Sequence, residues 1–149
     1  IGGLEKENIT GMVSQDPENH QIMTDIRARK VQRITQEIPK SEIFGDEKGK
    51  LLVLGWGSTH GSIHVAVERA RAEGKSVSQL HLRWVSPFPA DLKSICDNFD
   101  EILIPEVNSG QLALLMKAEL ERPIHQLNKV RGEPFRASEI VEKINEILG

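Results

Sequence analysis

Gly55-Trp56-Gly57-Ser58-Thr59-His60-Gly61 is the stretch of this chain whose residue types most invite chemistry. It follows an apolar run and opens a helical pattern, a setting in which backbone amides and the helix dipole can hold a phosphate. Dinucleotide sites of that kind read G-x-G-x-x-G, with an acidic residue ending the next strand to bind ribose. Here Gly61 comes one residue late, and the next strand ends in Arg83-Trp84-Val85. The expectation is a tight strand-to-helix turn, with a free-standing nucleotide- or coenzyme A-binding module using Gly55–Gly61 as the alternative. A second candidate, Glu106-Val107-Asn108-Ser109-Gly110, follows another apolar run, where open α/β sheets place their ligands. Turn chemistry accounts for Asn108, Ser109 and Gly110. A structural role is expected for Glu106 too.

Other groups carry less. His60 and His64 have metal-ligand spacing, but Gly61 stands where a zinc protease motif needs glutamate, and no third ligand stands out. They read as surface histidines. Arg27, Arg29, Lys30 and Arg33 read as a solvated helix face, or as packing surface for a neighbouring domain. Cys96 reads as a small core residue. A nucleophile elbow, a P-loop and paired carboxylates are all absent, so no catalytic residue and no metal ligand is assigned.

The bulk numbers suit one globular domain. The chain has 149 residues, 38% hydrophobic and 28% charged, with 19 basic against 22 acidic side chains and a net charge of -3. That balance argues against nucleic acid as a partner. A single cysteine excludes an internal disulfide, a cysteine zinc site and a four-cysteine iron–sulfur cluster. No apolar run approaches the roughly 20 residues that span a bilayer, and no signal peptide is visible, so a cytoplasmic location is expected. The first residue is Ile1 rather than Met, as in a piece of a longer protein.

The elements that would position the candidates follow from periodicity. Residues 1–16 are polar and aperiodic, an expected linker or arm. Asp16-Pro17 should open a leading helix over 17–38, capped by Asp16, packed on the core by Met23, Ile26 and Ile34, and stopped by Pro39. A sheet core is expected over 51–149. Glu42-Ile43-Phe44 could form a short strand before it. Leu51–Leu54 and Ile102–Ile104, the latter stopped by Pro105, read as strands buried on both faces. Leu80, Leu82 and Trp84 alternate with His81 and Arg83, and Ile124–Asn128 is a weaker strand. Between them lie helices with Ile63, Ala66, Val67 and Ala70, then Asp91 through Cys96, then Leu112, Leu115 and Met116 facing inward. A last helix, capped by Ser138, carries Ile140, Val141, Ile144, Ile147 and Leu148. Alternation of this kind gives a three-layer α/β/α domain over 17–149, with a mostly parallel sheet of four to five strands.

Five phrases in order then carry a resemblance: Asp16-Pro17-Glu18-Asn19-His20 with Arg27–Lys30, Gly55-Trp56-Gly57-Ser58-Thr59, Pro87-Phe88-Pro89, Pro105 to Leu112, and Gly132 to Ile140. Together they resemble the C-terminal part of the alpha subunit of 2-oxoacid:ferredoxin oxidoreductases of the 2-oxoglutarate type, over nearly the whole chain. The resemblance implies a fold like the transketolase C-terminal domain and a non-catalytic, assembly role. A transketolase-like or branched-chain dehydrogenase C-terminal domain would share that fold. It also implies that thiamine diphosphate, an iron–sulfur cluster and coenzyme A belong to the complete enzyme, none of them bound by this chain. Its implied partners are the rest of the alpha subunit, the beta subunit and, through the complete enzyme, ferredoxin. The family's fold would set Leu51–Leu54 between Ile102–Ile104 and Leu80–Trp84. Right-handed crossovers would then send the two following helices to opposite faces, leaving a crevice at the strands' carboxyl ends. Gly55, Gly57, Ser58, Thr59, Glu106, Asn108, Ser109 and Gly110 are the candidate ligand or interface residues there, with free amides at two helix N-termini.

Overall fold

Leu51, Leu52, Val53 and Leu54 are all fully buried, as a strand covered on both faces requires. In the computed structural model, which describes residues 3–149, they lie in the middle of a five-stranded sheet. The strands are β1 (Ile43–Phe44), β2 (Gly49–Trp56), β3 (Val77–Leu82), β4 (Phe99–Glu106) and β5 (His125–Asn128). Their spatial order is β1-β3-β2-β4-β5, with β1 antiparallel and the others parallel. The helices are α1 (Pro17–Arg33), α2 (His60–Ala72), α3 (Leu92–Cys96), α4 (Gln111–Leu120) and α5 (Ala137–Leu148).

Alternation along β2 and β4 divides the interior into two layers. Leu52, Leu54, Ile102 and Ile104 pack against Leu92 and Cys96 of α3 and Leu112, Ala113 and Met116 of α4. Leu51, Val53 and Leu103 face the other way, onto Ile63, Ala66 and Val67 of α2 and Ile140 and Ile144 of α5. The helices after β2 and β4 thus leave on opposite faces, as right-handed crossovers demand. A buried Lys129 fastens the chain before α5, its Nζ donating to both Glu139 carboxylate oxygens at 3.1 Å and to the Pro134 carbonyl at 3.2 Å.

Several local expectations need correction. The leading helix ends at Arg33, followed by a 3-10 turn over Ile34–Gln36, so it stops short of residue 38. It buries no residue, and Ile34 is 45% exposed. What it holds instead is the arm. Arg27 donates to both Glu5 oxygens at 3.1 and 2.9 Å, His20 meets Glu5 at 2.9 Å, and Asn19 donates to the Lys6 carbonyl. The described part of the arm is therefore structured, with a Lys6–Val13 bridge, while Ile1 and Gly2 lie outside the described residues. Leu115 is 52% exposed, because Ala113 takes the inward position beside Leu112. Ser138 lies inside α5, whose N-cap is Arg136, and Glu139 satisfies the Arg136 amide at 2.7 Å. Trp84 lies beyond the end of β3 and is 37% exposed. The short strand expected at Glu42-Ile43-Phe44 is present as β1 and pairs with β3, so the sheet starts upstream of Leu51.

Pro105 does not stop β4, which runs through it to Glu106. The Glu106 carbonyl accepts from the Lys129 amide at 2.9 Å, on the β5 side. Peptide groups alternate sides along a parallel strand, so the Pro105 nitrogen faces β2. There the ladder has already ended at Val53–Leu103. A missing N–H costs no hydrogen bond at that position.

Candidate functional site

Beyond Val53–Leu103 the two central strands separate. β2 continues along β3 to Trp56–Leu82, and β4 continues along β5 to Glu106–Asn128. That is the switch point of an open α/β sheet, and all eight candidate residues come to it. The two loops meet across the gap through the Trp56 indole, whose Nε1 donates to Glu106 Oε1 at 3.2 Å.

The crevice is filled from within. Glu106 is fully buried, and four donors converge on its carboxylate. Oε1 accepts from Trp56 Nε1, from Asn108 Nδ2 at 3.1 Å and from the Leu112 amide at 2.8 Å, while Oε2 accepts from the Ala113 amide at 3.0 Å. Asn108 Oδ1 accepts from the Gly110 and Gln111 amides at 2.7 and 3.0 Å. The expectation of free amides at the start of α4 is thus corrected: its own carboxylate and amide side chains occupy the place an anion would take.

The glycines have packing reasons. A Cβ on Gly55 would lie 2.4 Å from Ile63 Cδ1, so its absence lets α2 approach β2. Gly57 and Gly110 hold positive φ of 58° and 94°, and a Cβ on Gly110 would strike Gln126 Oε1 at 2.4 Å. Thr59 is 4% exposed, and its hydroxyl donates to the Trp56 carbonyl at 2.8 Å. Of the eight, Gly57, Ser58 and Ser109 stand exposed, with Asn108 half-buried. Cys96 is buried, which pushes its thiol up to about 12 and leaves it inert at neutral pH.

A recess elsewhere was not legible as a site. Between α2, β1 and the end of β3 lies a cavity of about 400 Å³ bordered by His60, His64, His81 and Arg83. The surface-histidine reading therefore holds for exposed His60 but not for half-buried His64, whose Nδ1 meets Gln79 Oε1 at 3.1 Å. The signal available was the i, i+4 pair on α2, together with His81 on the face of β3 opposite Leu80 and Leu82. Among the described residues, no cluster of three or more histidine, cysteine or acidic side chains could hold a metal ion.

Comparison with known proteins agrees with this architecture. The profile of the pyruvate:ferredoxin oxidoreductase core domain II matches residues 49–140. The chain is 39% identical over 150 residues to the 2-oxoglutarate oxidoreductase subunit KorA of Mycobacterium tuberculosis, covering 99% of this chain and 22% of that protein. It superimposes with a TM-score of 0.88 and 27% identity on a 2-oxoglutarate:ferredoxin oxidoreductase from Magnetococcus marinus, solved with 2-oxoglutarate, coenzyme A and succinyl-CoA bound. That match covers 97% of this chain and 26% of the other. A split-gene transketolase, an inactive β4 tetramer, shares the fold at a TM-score of 0.57 and 17% identity, over 73% of this chain and 41% of its own. The chain thus spans about a quarter or less of the length of these two oxidoreductase proteins.

Proposed function

This chain belongs to the pyruvate:ferredoxin oxidoreductase core domain II family, and from that premise we propose that it is a non-catalytic assembly domain of a thiamine-dependent 2-oxoacid:ferredoxin oxidoreductase. The observation that carries the reading is the arm and α1. This unit buries no helical residue and exposes Ile9, Met12, Val13, Ile22, Val31 and Ile34, which are between 45% and 93% accessible. A unit of this kind, without a core and with apolar side chains in the open, gains stability by covering them on a neighbour. The neighbour in this reading is the rest of the alpha subunit or the beta subunit. The relatives' names support 2-oxoglutarate as the acid that the complete enzyme decarboxylates, with electrons passed to ferredoxin and the acyl group to coenzyme A.

The described residues do not fit the enzyme's cofactors. One buried cysteine cannot ligate an iron–sulfur cluster. No acidic cluster could hold a metal for a diphosphate, and the α4 amides are taken by Glu106 and Asn108. In this reading those groups sit elsewhere in the enzyme, which works in the cytoplasm. Among the described residues no helix is long and apolar enough to cross a membrane.

The test is assembly. Ile22→Asp and Val31→Asp, placed in the complete alpha subunit and expressed with its beta subunit, should reduce the assembled fraction and turnover in proportion. The far-UV spectrum of the 149-residue chain should stay unchanged. Full assembly and full turnover in both variants would defeat the proposal.

A further inference from the structure

Two of the five histidines have carboxylate partners: His20 with Glu5 and His125 with Glu101, each at 2.9 Å. The other three share the recess on the α2 face and have none among the described residues. The His60 ring stands edge-on to His81 at 4.8 Å between centroids, and nearly parallel to His64 at 5.9 Å. Gln79, 2% exposed, holds the group in place by taking His64 Nδ1 on its Oε1 and donating its Nε2 to the His60 carbonyl at 3.2 Å. His81 Nδ1 is buried and has no partner among the described residues.

The charges that face the recess are Lys40 and Arg83 against one carboxylate, Glu42. Burial, and then the charges of His60 and Arg83, hold His81 below the usual histidine range, the response of a base in a cationic hollow. Phe44 walls one side, its ring 4.2 Å from that of His64. The trio has a surplus of cations around it and no carboxylate of its own, and His81 Nδ1 is left without a partner among the described residues.

We propose that this recess is a binding site for a small organic anion, a phosphate or a carboxylate, held by His60, His81 and Arg83. Its volume of about 400 Å³ falls in the range of small-molecule pockets, roughly 300–1,000 Å³, rather than that of a flat protein contact. The inference is independent of the assembly role, because the recess lies on the sheet core and uses no residue of the arm or α1.

The experiment follows the imidazole resonances of the 149-residue chain during titration with inorganic phosphate and, separately, with succinate. Sodium chloride at matched ionic strength serves as the control. Saturable shifts at His60, His64 and His81, with His20 and His125 unmoved, are expected for at least one of the two anions. Saturation by phosphate alone or succinate alone identifies the class. Arg83→Gln, on an exposed side chain whose loss leaves the fold intact by circular dichroism, should weaken binding about tenfold. No saturable shift in the millimolar range, equal shifts with chloride, or undiminished affinity in Arg83→Gln would overturn the site. So would an acidic side chain of a neighbouring domain found seated in the recess of the complete enzyme.

Discussion

Glu106→Gln tests whether the switch-point carboxylate is a strut or a reserved ligand group. The glutamine oxygen can take over the three donors now on Oε1, from Trp56, Asn108 and Leu112. Its NH₂ then faces the Ala113 amide, which now donates to Oε2 at 3.0 Å, donor against donor. Losing one hydrogen bond to a charged acceptor at a buried site costs about 1.5–3 kcal/mol. Removing a negative charge from a helix N-terminus adds about 0.3–1 kcal/mol. The sum is a destabilisation of about 2–4 kcal/mol, read by urea unfolding at pH 7 as a lowered midpoint at unchanged slope. For a chain of this length the melting temperature should fall by roughly 4–16 °C. Trp56→Phe removes a single donor and leaves the carboxylate three partners, so its loss should be smaller, about 0.5–1.5 kcal/mol. A Glu106→Gln effect below about 0.5 kcal/mol would refute the reasoning. A gain in stability would refute it more sharply, since carboxylates kept for function are often replaced with profit.

Two further outcomes follow from the site and the arm. Gly55→Ala should lose about 1–2 kcal/mol, because its Cβ meets Ile63 Cδ1 at 2.4 Å and Thr59 Oγ1 at 3.0 Å in a filled core. Gly61→Ala, with nothing within 4 Å, should be neutral or gain up to about 1 kcal/mol, and equal losses at both glycines in chemical denaturation would argue against packing as their reason. Glu5 is held down to about 2, first by the Arg27 hydrogen bonds and then by the Lys6 amide. A depressed carboxylate stabilises above its unfolded value of 4.5, and that contribution fades as pH falls from there through 2. The Glu5 carboxyl resonance should therefore titrate well below 4.5, and a midpoint near 4.5 would show that the arm is not docked on α1 in solution.

Apolar runs made the sheet legible, since a strand covered on both faces admits almost nothing but Leu, Val and Ile at 51–54 and 102–104. The meeting of the two loops followed from chain handedness once the strand order was assumed. What escaped was tertiary in origin. The apolar spacing of Met23, Ile26 and Ile34 describes a face and is silent on what covers it. Pro105 was read as a strand end because the place where β2 leaves β4 cannot be known from one strand. Glu106 gave away its charge in the sequence but not the four donors that enclose it. His81 looked like the outward half of an alternating strand, and only the return of α2 over that face turned it inward.

The arm and α1 keep to themselves: the hydrogen bonds of Glu5, Asn19 and Arg27 all close within the first forty residues. The family profile, by contrast, begins at residue 49, the first residue of β2. A gene segment cut a little upstream of that point, before β1, carries the interior with it and leaves the leading helix behind. Such a seam makes the sheet the cooperative unit of unfolding, with the arm and α1 able to open at a lower free energy than the core.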